Sequence, residues 1–199
     1  MDMVLNPGYV EALAERVLEH HFVYYEALLE AVGAHIDAVA VSDDLGGQTA
    51  LLFAPDLFRR IYKPRLARLV AHIKQLRPGI IVYMHSDGAI FDIIPDLIEA
   101  GIDALNPVQF TAAGMDAGRL KQTFGTDLAF WGGGVDNELL ARGTPQAVAE
   151  QVRRQILTLG PGGGYVFASV HNISAEAPPE NVVAFFEAAH EYGGYPLPA

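Results

Sequence analysis

Residues 79–88 read Gly79-Ile80-Ile81-Val82-Tyr83-Met84-His85-Ser86-Asp87-Gly88. An apolar run between a glycine and a polar cluster predicts a strand over 80–84. Side chains alternate faces along a strand, so His85 and Asp87 point the same way. Gly88 then releases the chain into a turn. A buried strand that finishes in a histidine and an aspartate on one face offers two ionisable groups to one place.

Working outward, the same pattern recurs on both sides. Upstream, residues 9–32 predict a helix with Val10, Leu13, Val17, His21, Tyr24, Leu28 and Val32 as its stripe, ended by Gly33. A short strand over 36–41 closes in Asp43 and Asp44. A helical region over 55–76 is split or kinked at Pro64 and stops at Arg77-Pro78-Gly79. Downstream, a helix over 93–100 ends at Gly101, and a strand over 102–105 leads into Asn106-Pro107-Val108-Gln109. A helix over 116–124 follows, then a strand over 128–131 that runs into Gly132-Gly133-Gly134-Val135-Asp136-Asn137. Thr144 and Pro145 mark the N-cap and first position of a helix whose stripe is Val148, Val152, Ile156 and Leu159. A strand over 165–170 leads to His171-Asn172-Ile173-Ser174, and a last helix starts near Pro179 with Val182, Phe185, Phe186 and Ala189 on one side.

These segments make a single domain over residues 1–199: a leading helix (1–34) and five β-then-α units (35–199). Continuous apolar strands are expected to be covered on both faces, and strands alternating with helices imply a parallel sheet. The polar residues collect after the strands, where parallel α/β folds build their sites. Polar groups at five separate strand ends favour the shared mouth of a barrel over the single crevice of an open sheet. A complete barrel has eight units and typically ~250 residues, so this chain falls about three units short.

Composition narrows the function. Of 199 residues, 51% are hydrophobic and 19% charged, a globular balance. The net charge of -11 argues against a duplex nucleic-acid partner, whose binding rests on neutralised phosphates. The chain has no cysteine, so disulfides, thiolate ligands and cysteine nucleophiles are excluded. No apolar run approaches the ~20 residues of a membrane span, and residues 1–17 lack the layout of a secretory signal. The expected compartment is the cytoplasm.

His85 with Asp87 reads either as a metal-ligand or acid/base pair, or as an N-capping aspartate beside a histidine bonded to a neighbouring strand. Two histidines and one carboxylate suit zinc, and also iron with open positions for substrate. His171 is the second histidine; Asn172 and Ser174 beside it can equally cap the last helix. Asp43 and Asp44 end a strand at the mouth, one for function and one for the turn that follows. Asn106, Gln109, Trp131 and Asp136 also follow strands and are expected to line a substrate site together with Asp44. The remaining histidines, His20, His21, His35, His72 and His190, fall on helices or on the opposite end and read as structural.

In combination and order, several stretches resemble a family: "DAVAVSDDLGG", "FAPDLFRRIYKPRL", "HSDGAIFDIIPDLIEAGIDALNPVQ", "LKQTFGTDLAFWGGGVD", "GTPQAVAEQVRRQI" and "GGGYVFASVHNISAEAPPENVVAFFEAA". From about Ile36 onward the chain is similar to the C-terminal part of the uroporphyrinogen decarboxylase superfamily, which also includes zinc-dependent cobalamin (corrinoid) methyltransferases. The resemblance implies an incomplete (βα)8 TIM barrel in which the first three strands are absent, and with them the decarboxylases' substrate-binding arginines and essential aspartate. It places His171 at the histidine of the decarboxylase "GHGI" motif. It places His85-Ser86-Asp87-Gly88 at the methyltransferases' His-x-Cys-Gly, with Asp87 and His171 replacing two thiolates.

The implied activity is decarboxylation of uroporphyrinogen, a carboxy-lyase step in porphyrin biosynthesis. The alternative is metal-dependent methyl transfer from a corrinoid-linked substrate. A third expectation is a half-barrel that self-associates or needs its missing N-terminal half before it is active. The expected cofactor is one divalent metal held by His85, Asp87 and His171, with Asp43 or Asp136 orienting the ligands from behind.

Overall fold

The computed structural model describes residues 1–197. A short turn of helix, α1 (Asp2–Leu5), precedes the long helix α2 (Pro7–Val32). Strand β1 (Ala38–Ser42) follows, then α3 (Pro55–Leu57), a π-helical turn (Phe58–Tyr62) and α4 (Lys63–Leu76). The next units are β2 (Ile81–His85) with α5 (Ile94–Glu99), and β3 (Ala104–Asn106) with α6 (Ala117–Phe124). Then come β4 (Ala129–Trp131), α7 (Asn137–Arg142) and α8 (Pro145–Leu159), and last β5 (Tyr165–Val166) with α9 (Pro179–Tyr192). The strands form one five-stranded sheet in the order β1-β2-β3-β4-β5, parallel throughout. This is a partial (βα) barrel, as expected, with β1 and β5 as its edges.

The helix-facing side of the sheet is the core. Val39, Val41, Val82, Met84, Leu105 and Phe130 alternate onto it and are fully buried under the helices. The other side differs from expectation. It carries Ala40, Ser42, Ile81, Tyr83, His85 and Trp131, all half-buried or exposed, with Ile81 45% exposed. A row of five strands leaves its inner face open where a closed barrel would fill it.

Pro64 acts through its neighbours. It lacks the N–H that would continue the helix, and the turn before it widens to π geometry, where such insertions commonly sit. At the next helix that carries a predicted cap, the Thr144 hydroxyl accepts from the Ala147 N–H (3.3 Å).

Two expectations are corrected. The stripe of α2 that packs is Leu18, Tyr25 and Leu29. Leu13 and Val17, at 51% and 47% exposure, instead line an apolar groove of about 330 Å³ between α2, α4 and the end of β1. The last strand pairs only through Tyr165–Val166, so His171 lies on the loop beyond it and not at a strand end. Among the described residues no helix is long and apolar enough to cross a membrane.

Candidate functional site

Register sets the level of the strand ends. His85 pairs with Ser42 on one side and Asn106 on the other, so β1, β2 and β3 finish together. The His85 ring points to the inner face. Its Nδ1 lies 2.5 Å from Asn106 Oδ1, and the Asn106 amide donates to the Trp131 carbonyl at 3.1 Å. Its Nε2 lies 3.7 Å from Asp87 Oδ2. His171 Nε2 approaches the same carboxylate oxygen, also at 3.7 Å. The two rings stand edge to face, 5.7 Å between centroids. One ligand-capable atom from each of His85, Asp87 and His171 lies within 4.8 Å of the others. A cavity of about 430 Å³ opens beside them, walled by His85, Asn106, Pro107 and His171.

The loop after β2 is held from three directions. Ser86, 2% exposed, faces away from His85 and accepts from the Leu45 N–H (3.0 Å). The Asp87 N–H donates to Asp44 (3.1 Å), and the Gly88 N–H to Gln109 (2.8 Å). Gln109 in turn donates to Gln48 (2.9 Å), tying this loop to the one after β1. Gly88 has φ +88°, and a side chain there would collide with the Gly46 backbone, so the loops close only because both positions are glycine.

The separations decide what the cluster can do. At 3.7 Å the histidine–aspartate contacts are too long for hydrogen bonds. Two ligands ~2.1 Å from one zinc ion at the tetrahedral angle stand about 3.4 Å apart. The pocket therefore has nearly the spacing of ligands that share an ion, and the donor types fit zinc or iron. Burial raises the Asp87 carboxyl above the ordinary carboxylate range; His171 and then His85 pull it back down, and Asp44 adds to the rise.

The other expected site residues fall around this cluster or away from it. Asp44 braces Asp87 through its backbone. Asn106 and Gln109, expected on the substrate, spend amide groups on His85, Trp131, Gly88 and Gln48. Trp131 packs against Tyr83 on the inner face, the rings tilted by 38° with 4.8 Å between centroids. Asp43, expected among the catalytic groups, is not in the cluster. It alternates with Ser42 onto the helix side, where its carboxyl faces the half-buried Tyr62 at the rim of the apolar groove. Asp43 is exposed as a whole, but the partial desolvation of its carboxyl beside Tyr62 raises it, with Tyr62 pulling it back down and Asp44 adding to the rise; desolvation raises the Tyr62 phenol as well. Asp136 is the N-cap of α7, accepting from the Leu139 N–H (3.2 Å). The glycines after β4 admit the protein's own chain: a side chain on Gly132 (φ +114°) would strike the Pro107 carbonyl.

Sequence reasoning missed Ser86, Gln48 and Tyr62. Ser86 had a signal, since period two turns it to the buried side between His85 and Asp87. Tyr62 and Gln48 had none, because their partners lie on other elements.

Residues 1–192 match the family model described as uroporphyrinogen decarboxylase (URO-D). The chain belongs to the uroporphyrinogen decarboxylase family. The match takes in the leading helix as well as the units from Ile36 onward. Relatives named uroporphyrinogen decarboxylase include one from Pseudomonas fluorescens, 26% identical over 94% of this chain and 49% of its own length. One from Methylococcus capsulatus is 29% identical over 96% of this chain and 51% of its own. One from Azoarcus is 31% identical over 88% and 48%. The chain thus spans about half the length of the curated relatives it matches.

Proposed function

We propose that the chain supplies part of the mouth of a family barrel acting on a tetrapyrrole-type substrate, with His85, Asp87 and His171 holding one divalent ion, zinc before iron. The observation that carries this is the convergence of three ligand-capable atoms within 4.8 Å, at contacts too long for hydrogen bonds. A divalent ion held there supplies Lewis-acid chemistry. Asp87 lies between the two imidazoles and sets the charge of the centre. His171, the most exposed of the three, faces the cavity and is placed to receive substrate or to move a proton.

Decarboxylation is the first reaction to test, because it is the activity in the relatives' names. It requires a proton at the carbon that loses carbon dioxide, and His171 would deliver it only in a metal-free site, since a nitrogen bound to the ion carries no proton. Metal-dependent methyl transfer to or from a corrinoid-linked substrate is the second reading, favoured by a donor set competent for zinc. Asp44 and Asp87 make this mouth acidic, so a polycarboxylate would need cations from the portion of the relatives that this chain does not match. The groove beside α2, and the edge of β1 that no strand covers, are where that portion would dock; on that edge the Ala40 carbonyl already accepts from the Tyr25 hydroxyl.

The test is metal content. Chain purified from zinc-supplemented medium should carry stoichiometric zinc, and Asp87→Ala and His171→Ala should carry little. Equal trace metal in all three refutes the metal centre. Coproporphyrinogen formation by the metal-free chain would establish metal-independent decarboxylation in its place.

A further inference from the structure

The end of β3 carries a bond pattern that fixes a proton. The Trp131 carbonyl can only accept, so the Asn106 atom facing it at 3.1 Å is the amide nitrogen. The amide oxygen then faces His85 Nδ1 at 2.5 Å. That oxygen also only accepts, so Nδ1 must carry a hydrogen. A neutral imidazole has one N–H, which leaves Nε2 bare. Nε2 is the atom aimed at Asp87. The backbone makes the arrangement stiff: Asn106 sits opposite His85 in the ladder, and its carbonyl accepts from the Ser86 N–H (2.9 Å).

We infer that Asn106 is a positioning residue that holds His85 as the Nδ1–H tautomer and presents its Nε2 lone pair to the space shared with Asp87 and His171. Two hydrogen bonds run in one direction across three adjacent strand ends, from His85 to Asn106 to the Trp131 carbonyl. The tautomer of a histidine is set by the partner of its other nitrogen. Here that partner lies on the neighbouring strand and is itself oriented by the strand after. The consequence for metal rests on the reading above; the tautomer itself does not. Partners of this kind change metal affinity by about 10–100-fold when removed.

The full chain labelled with nitrogen-15 in its histidines reports the tautomer directly. Long-range proton–nitrogen correlation is run at alkaline pH, where imidazoles are neutral, and His85 is assigned by the signal lost in His85→Gln. In wild type, His85 shows a protonated Nδ1 and a bare Nε2. Asn106→Asp keeps an accepting oxygen towards the ring, at the expense of the Trp131 bond, and retains that signature. Asn106→Leu removes the acceptor and releases the ring to mixed or Nε2–H forms. Zinc titration of the same proteins shows a loss of about 10–100-fold for Asn106→Leu and a smaller one for Asn106→Asp. A wild-type His85 protonated on Nε2, or a tautomer unmoved in Asn106→Leu, overturns the inference. If Asn106→Leu does not fold, the wild-type and Asn106→Asp spectra decide. Nδ1–H without zinc uptake would leave Asn106 in its role and remove the metal; zinc uptake with His85 as Nε2–H would do the reverse.

Discussion

Replacing Gly88 by alanine tests whether the loops after β1 and β2 meet as closely as described. Gly88 has φ +88°, and a Cβ there would lie 2.4 Å from the carbonyl carbon and oxygen of Gly46 and 2.7 Å from the Gly47 oxygen. Gly79 is the control, with φ +85° and nothing within 4 Å of its Cβ position. At either site, left-handed backbone costs an alanine ~1–2 kcal/mol. A stiffer unfolded chain returns ~0.4–1 kcal/mol, so Gly79→Ala should cost about 1 kcal/mol. Gly88→Ala adds overpacking against backbone, ~1–3 kcal/mol, for a total of about 2–4 kcal/mol. In urea, with a slope near 2 kcal/mol per molar, the Gly88→Ala midpoint should fall below that of Gly79→Ala by about 0.5–1.5 M. The displaced loop also carries the Gly88–Gln109 and Asp87–Asp44 bonds, so zinc affinity should drop in Gly88→Ala alone. Equal midpoints for the two variants would refute the close approach.

Asp43→Asn should gain stability relative to wild type as pH rises. A carboxyl raised in the fold contributes stability below its ordinary value of ~3.9 and loses it as pH climbs through the raised folded value. The difference in urea midpoint between the two proteins should therefore be flat below about pH 4, grow above it and level off; a flat or falling difference contradicts this. The isolated chain should self-associate, because β1 has no strand on its outer side, with only its Ala40 carbonyl covered by Tyr25, and because Ile81 on the inner face and Leu13 and Val17 on α2 are exposed. Light scattering that gives the mass of one chain at all concentrations would contradict that.

What the sequence could reveal depended on how local the cause was. The strand at Ile81–His85 and the cap at Thr144 were legible because an apolar run and a side-chain acceptor act on their own neighbours. The packing face of α2 was not. Its apolar residues occupy two faces, and only the position of α4 and β1 decides that Leu18, Tyr25 and Leu29 are covered. The shortness of β5 was hidden too. Residues 165–170 read as one strand, but Gly132 turns away at φ +114°, and beyond it separate bonds persist, from Gly132 to the Val166 carbonyl, from Gly134 to that of Ala168 and from Val170 to that of Val135. Helix α7 is six residues long, too short for periodicity to register, although Asp136 was its cap in plain view. In the site, the pairing of His85 with Asp87 followed from period two. His171 joined them only through the topology of a shared mouth. The Asn106 contact depends on which amide atom faces which strand, and no spacing rule carries that.

X-ray absorption of the zinc-loaded chain reads out whether His85, Asp87 and His171 share one ion. The expected spectrum has a shell of nitrogen and oxygen ligands at ~2.0–2.2 Å, with the outer-shell scattering of two imidazoles, falling to one in His85→Ala and in His171→Ala. A shell with no imidazole scattering, or a spectrum unchanged by both substitutions, would contradict it.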